Sequence, residues 1–372
     1  MTSITYVGLD VHTTNYTAAC YRFETDNSFA VTVLKPNVDE IVKYLKKVQK
    51  GLDEDNEFIC GYEAGCLGYS LYHQLTAKGI KCVVIAPSTM ETAPANKIKT
   101  DKRDAKKIAK CLATGGYSAV HIPTDEDNAI KEYIRMRDDV KDSLKRLKQQ
   151  IIALCTRQGK IYKNVVGKNY WTKKHLAWLK ELAFSHPIYK ETLTEYMVLY
   201  YMLCEKIEIY DAKIEEYSRM PRFKEAVKKL CCFKGIKTYT AMAIISEIGD
   251  FTRFQRAGNF AAYIGLVPGE RSSSDKRKQM GITKQGNSHV RRLLVESAQS
   301  YTKKYSGKKS KELKKRQAGM PSAIIAYADK CAERLKNKYI NIALHSNSNT
   351  AKTAVARELA CFIWGTMTDR CC

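Results

Sequence analysis

The sequence contains no run of about 18 apolar residues, the length a membrane-spanning helix requires. A membrane partner is therefore not expected. Met1 to Asp10 lacks the basic-then-apolar order of a secretory signal. There are 13 cysteines but no Cys-x-x-Cys; Cys231-Cys232 and Cys371-Cys372 are merely adjacent. A zinc site usually draws four ligands from two closely spaced pairs, so the expectation is reduced, mostly buried thiols in a cytosolic protein. Acid is the other shortage: 39 Asp and Glu face 63 Lys and Arg, a net charge of +24. Such an excess attracts polyanions, and nucleic acid fits it better than a ribosome-like or membrane-surface role. With 372 residues, 44% of them hydrophobic, the chain can bury a sizeable core and fill two or three domains.

Residues 1–125 read as α/β. Ile4–Val11 is a short apolar strand holding Asp10 near its end, and Tyr16–Phe23 and Phe29–Leu34 continue as a meander. Asn37–Val48 has helical apolar spacing behind an Asn37 cap. Phe58–Glu63 is a second strand ending in a carboxylate. A helix at Gly68–Ala77 and a buried strand at Cys82–Ile85 follow. This is the element order of an RNase H-like domain, although other α/β sheets share it.

Residues 126–221 change character. Val140, Leu144, Leu147, Ile151 and Leu154 form a heptad seam, and so do Leu193, Tyr196, Tyr200, Leu203, Ile207, Tyr210, Ile214 and Tyr217. Two long helices are expected on either side of a bend at Gly159–His186. They would make a coiled-coil hairpin or a dimerisation arm, with an ordinary helical bundle as the alternative. Residues 222–372 read as mainly helical. Phe233–Thr238 resembles the turn of a helix-hairpin-helix, with Lys237 where a second glycine is usual. Residues 270–316 hold 15 Lys and Arg against four acids, a bias that favours phosphate contact over a mixed solvated face.

Asp10 and Glu63 close two strands, while Asp101 and Asp104 sit three apart behind Thr100 on one face of an expected helix. Taken singly, each has an ordinary explanation: a turn, a surface carboxylate, a helix-dipole partner. Taken together in one α/β unit they favour catalysis. Converging carboxylates repel one another, and hard divalent cations such as Mg²⁺ relieve that repulsion. Two such ions can hold the attacking and leaving oxygens of a phosphodiester.

These residues carry a resemblance. Tyr6–Asp10, Gly61–Gly65 and Lys99–Ala105 resemble the RuvC-like D-E-D-D domain of IS110-family transposases. Ala262–Pro268, Ser272-Ser273-Ser274, Gly281–Asn287 and Arg291–Leu294 are similar to that family's C-terminal transposase domain. The resemblance spans nearly the whole chain. It implies metal binding by Asp10, Glu63, Asp101 and Asp104, with Mg²⁺ as cofactor. It also implies a serine nucleophile five residues after the proline, which is Ser273 here. The family often has glycine where Ser274 stands, so Ser272 and Ser274 stay as alternatives. Further implications are donor and target DNA, a structured non-coding guide (the bridge RNA), and a homo-oligomer, dimer or tetramer. Its RuvC-like and transposase domains would combine between subunits, partly through the coiled coil, in a prokaryotic-type, nucleoid-associated setting.

A serine hydroxyl is a weak nucleophile until a base or metal activates it. Attack on phosphorus would leave a phosphoserine ester and a free 3′-hydroxyl, and the ester retains the energy needed for religation. Arg271, Lys276, Arg277, Lys278, Lys284, Arg291 and Arg292 are the expected phosphate contacts. Gly281 and Gly286 would let backbone approach the sugar-phosphate chain, and His289 is a phosphate ligand, a base, or, as a lone histidine more often is, structural. On spacing alone the three serines also suit a plain flexible loop. The competing functions are a junction nuclease that activates water with the carboxylates alone, and a non-catalytic nucleic-acid scaffold.

Overall fold

In a computed structural model describing residues 3–53, 55–87, 100–165, 169–273, 276–302 and 308–371, Ile4–Val11 forms strand β1. For 164–165, 271–273 and 276–279 the description is of the backbone alone. The chain divides into two compact units, Met1–Ile122 and Pro123–Cys372. The segment 126–221 falls wholly within the second.

In the first unit, β1 pairs antiparallel with β2 (Tyr16–Arg22), which pairs antiparallel with β3 (Asn27–Leu34). Helix α1 (Val38–Gln49) then crosses over, its start capped by Asn37, whose side chain accepts from the Asp39 amide at 2.8 Å. β4 (Glu57–Glu63) consequently returns parallel to β1, and after α2 (Ser70–Ala77) β5 (Lys81–Ile85) lies parallel to β4. The sheet order is β3-β2-β1-β4-β5.

Strand alternation sorts the two faces. Val7, Leu9, Cys60, Tyr62 and Val84 pack with Ile41, Leu45, Leu71 and Leu75 of α1 and α2. Tyr6, Val83 and Ile85 turn to the opposite face, against Ile108 and Leu112 of α3 (Asp101–Thr114). Gly8 and Gly61 also face α3. A Cβ on Gly8 would stand 2.1 Å from the Ala105 carbonyl oxygen, and one on Gly61 2.8 Å from Leu112. The absence of two side chains is what lets α3 lie this close to the sheet.

In the second unit, α4 (Asp125–Arg157) and α7 (Pro187–Tyr217) pack along one another. Their seam is filled within the chain: Leu144, Leu147, Ile151 and Leu154 meet Leu193, Tyr196, Tyr200, Leu203 and Ile207. The expected bend carries α5 (Tyr162–Val165) and α6 (Lys173–Glu181), and Leu179 and Leu182 close the same core. The rest of the unit comprises α8 (Pro221–Cys231), α9 (Thr238–Ile248), α10 (Ala257–Tyr263), strands β6 (Pro268–Ser273) and β7 (Lys276–Ile282), α11 (Ser288–Ala298), α12 (Lys311–Gln317), α13 (Ser322–His345) and α14 (Ser348–Met367). Helix α14 is buried on most sides through Ala351, Val355, Leu359, Ala360 and Ile363, which makes it the axis of the core. Among the described residues, no helix is long and apolar enough to cross a membrane.

Candidate metal centre and serine hairpin

Leu9 and Tyr62 are paired on the parallel strands β1 and β4, so Asp10 and Glu63 occupy the next position on each. They share the parity of Gly8 and Gly61, which is the α3 side of the sheet. Helix α3 begins directly above. Thr100 caps it by accepting from the Arg103 amide, and Asp101 and Asp104 lie in its first turn, where the helix dipole favours anions.

Asp10 and Asp101 converge, and a residue the sequence reading passed over joins them. His12 Nε2 lies 3.5 Å from Asp10 Oδ2 and 3.9 Å from Asp101 Oδ1. One ligand atom from each of Asp10, His12 and Asp101 falls within 4.8 Å of the others. Burial pushes the Asp10 carboxyl above its ordinary value; His12 opposes this, and the charges of Asp101 and Asp104 reinforce it. Asp104 is thus within electrostatic reach of the group. Glu63 ends the neighbouring strand, outside the trio. The signal for His12 was Asp10-Val11-His12, an i, i+2 spacing that repeats a strand face.

Two carboxylates and an imidazole, crowded and partly desolvated, make a donor set that suits a divalent cation.

The serine motif forms an antiparallel hairpin. Ser272 pairs with Arg277 and Ser273 with Lys276, which puts both serines next to the tip. Ser274 lies outside the described residues. The expected contacts Arg271, Lys276, Arg277 and Lys278 are strand positions in β6 and β7. Lys284 is exposed, with a φ of 57° held by its amide donating to the Gly265 carbonyl at 3.2 Å.

The other motif residues have internal partners. Arg291 Nη1 donates to the carbonyls of Ile264 at 2.8 Å and Gln285 at 3.0 Å. Arg292 pairs with Asp138 and with Glu296. Gly286 departs from expectation: a Cβ there would lie 1.9 Å from the Tyr263 carbonyl oxygen, so its open face is taken by the chain itself. Gly281 has nothing within 4 Å of such a Cβ, so backbone approach there is unobstructed.

Two buried carboxylates fix this region. Asp138 on α4 accepts from Tyr239 and Arg292, each at 2.5 Å, and from Arg137 at 3.2 Å; His289 Nε2 is 3.4 Å away. Glu247 on α9 takes both ends of the Arg135 guanidinium and the Asn287 amide at 2.8 Å. Asn287 also caps α11, accepting from the Val290 amide. Burial alone would raise the Asp138 carboxyl, but the Tyr239 hydrogen bond and the Arg292 and His289 charges bring it below its ordinary value. Burial pushes the His289 imidazole down. Asp138, Tyr239 and Glu247 were not picked out from sequence.

The Transposase IS116/IS110/IS902 family model matches residues 227–316, the span holding the serine hairpin. A second transposase model, for the DEDD type of IS110 elements, matches residues 7–157 and so includes all four acids. The chain is 34% identical over 311 residues to a putative transposase, y4qE, of Sinorhizobium fredii, covering 83% of this chain and 75% of that protein. It is 32% identical over 341 residues to the transposase for insertion sequence element IS1533 of Leptospira borgpetersenii, covering 91% and 96%. With the transposase for element IS1111A of Coxiella burnetii the identity is 27% over 266 residues, or 70% and 72%.

Proposed function

The chain belongs to the IS116/IS110/IS902 transposase family, and from that premise we propose that it cuts and rejoins DNA with an acidic metal centre and a nucleophilic serine. The observation that carries the reading is the convergence of Asp10, His12 and Asp101 at the start of α3. Asp104 and Glu63 stand beside them as the remaining members of the acidic set. Mg²⁺ is the ion favoured by a carboxylate-rich site. When bound, it supplies positive charge to a phosphodiester whose negative charge grows during displacement.

Ser273 is the proposed nucleophile. Its Oγ forms a bond to phosphorus, the P–O3′ bond breaks, and the departing 3′-oxygen takes up the proton the serine loses. The 3′-hydroxyl of a second strand end then attacks the phosphoserine, restoring a phosphodiester and returning the proton to Ser273. One phosphate ester replaces another at each step, so no nucleotide cofactor is consumed. The position of Ser273 one rung from the hairpin tip supports access to a strand. The RNase H-like reading of residues 1–125 is supported by the sheet order β3-β2-β1-β4-β5.

We also propose a structured guide RNA, the bridge RNA, as partner, and an assembly of copies. The net charge of +24 supports the first. The exposed Val198, Leu199, Met202 and Ile209 on α7 support the second, because that face is apolar beyond the filled seam.

The test is a denaturing gel of labelled element-end DNA incubated with Mg²⁺. Wild type is expected to give a covalent protein–DNA band that Ser273→Ala abolishes while binding persists. Cleavage with a free end and no covalent band would replace this reading with water activation by the carboxylates alone.

A further inference from the structure

Along α4, toward α7 and α11, runs a groove of about 1010 Å³ that the proposed chemistry does not use. Its lining follows one face of α4 from Arg137 to Arg157, roughly 30 Å at the rise of an α-helix. Leu144, Ile152, Ala153 and Ile207 make an apolar floor. The rim is cationic: six Lys and Arg side chains line the groove against Asp138, Asp142 and Glu296. Two of those acids are already neutralised, since Arg292 pairs with both Asp138 and Glu296.

The remaining cations are available. Lys141, Lys145 and Arg157 are exposed and form no ion pair among the described residues. Lys141 and Lys145 are one helical turn apart, about 6 Å along the axis. This is the order of spacing of successive phosphates in an extended strand.

Trp171 lines the groove beside Lys148, near the middle of the α4 face, and its placement is costly. Trp171 has a φ of 63°, a left-handed conformation that bulky side chains rarely adopt. Its amide donates to Nδ1 of the buried His175 at 3.1 Å, which holds the turn. The indole stacks on Tyr200, with ring centroids 5.2 Å apart and an interplanar angle of 26°, and Lys148 sits 5.2 Å from its centroid. A half-buried indole backed by a second ring, beside a row of unpaired cations, is the combination that holds unpaired bases and their backbone.

We propose that this groove binds a single-stranded segment of nucleic acid, its phosphates along Lys141 and Lys145 and a base on Trp171. The inference rests on reading the chain as a nucleic-acid enzyme, but it needs neither the metal centre nor the serine.

The test is fluorescence anisotropy with the full chain in EDTA, so that binding is read independently of cleavage. The probes are labelled DNA and RNA strands of about 12 nucleotides, within the range such grooves occupy. Trp171→Leu is expected to weaken binding about fivefold or more. Lys141→Ala/Lys145→Ala is expected to lower the slope of log affinity against log salt by roughly 1.4. The exposed lysine pair tests the groove even where the tryptophan variant fails to fold. Loss in the DNA arm or the RNA arm supports the groove and names its source. A control pair at the C-terminal end of α1, Lys46→Ala/Lys50→Ala, is expected to change affinity less than twofold. Equal losses in the control and groove pairs, or no change in either arm, would overturn the proposal. Cleavage of element-end DNA in Mg²⁺, measured separately, shows whether the catalytic reading stands when the groove fails.

Discussion

Asp10 is worse placed in the metal-free fold than in water, because burial and the charges of Asp101 and Asp104 disfavour its anion. Two expectations follow. Asp10→Asn should raise the melting temperature in EDTA and lower metal-dependent cleavage at least about 100-fold, a loss equivalent to several kcal/mol of charge stabilisation. A melting temperature that falls, with cleavage retained, would remove Asp10 from the centre. His12→Ala should weaken Mn²⁺ affinity tenfold or more, the scale found even for groups that only support a ligand; calorimetric titration reads this directly. Asp10 and Glu63 stand out in the sequence as carboxylates at the ends of apolar strands, and Asp101 and Asp104 as a pair three apart at a helix start. His12 does not, since a histidine just past a strand resembles any turn residue until α3 brings Asp101 within 3.9 Å of it.

Among the elements, α3 decides the geometry, and it depends on two missing side chains. Gly8→Ala should lift α3 from the sheet, at a cost of about 1–3 kcal/mol in stability, because a methyl group cannot occupy space 2.1 Å from a carbonyl oxygen. Chemical denaturation measures the loss, and an unchanged midpoint would mean that α3 does not seat on Gly8. The strands themselves were readable: β1 spans Ile4–Val11 as the short apolar run indicated, and α1 begins after the Asn37 cap. The acidic hubs were hidden. Asp138 lies within the charged stretch Arg137-Asp138-Asp139 on a long helix, and its partners Tyr239 and Arg292 are 101 and 154 residues away. Short-range patterning carries no information about such pairs. Helix α14 was also hidden, because burial on most sides blurs the one-sided stripe that marks a surface helix.

For the molecule as a whole, stability in acid should track the buried carboxylates of the second unit. The folded pKa values of Asp138 and Glu247 lie below their ordinary 3.8 and 4.5. Their contribution is therefore present above those values and lost as pH falls through the depressed ones. Asp138→Ala should cost about 3 kcal/mol or more near neutral pH, by leaving Arg292 and Tyr239 without their buried acceptor. It should also flatten the acid limb of a melting-temperature profile; a limb as steep as that of wild type would place the acid sensitivity elsewhere. Charge sets the other whole-molecule property. An excess of +24 makes association with nucleic acid strongly dependent on salt, whereas the proposed chemistry depends on a small acidic island. That island can be tested directly by Mn²⁺ binding, followed by electron paramagnetic resonance, in wild type, Asp10→Asn and Asp101→Asn. Wild type should bind the ion stoichiometrically, and each variant should lose that binding while remaining folded. Equal Mn²⁺ uptake by all three would contradict a metal centre at the start of α3.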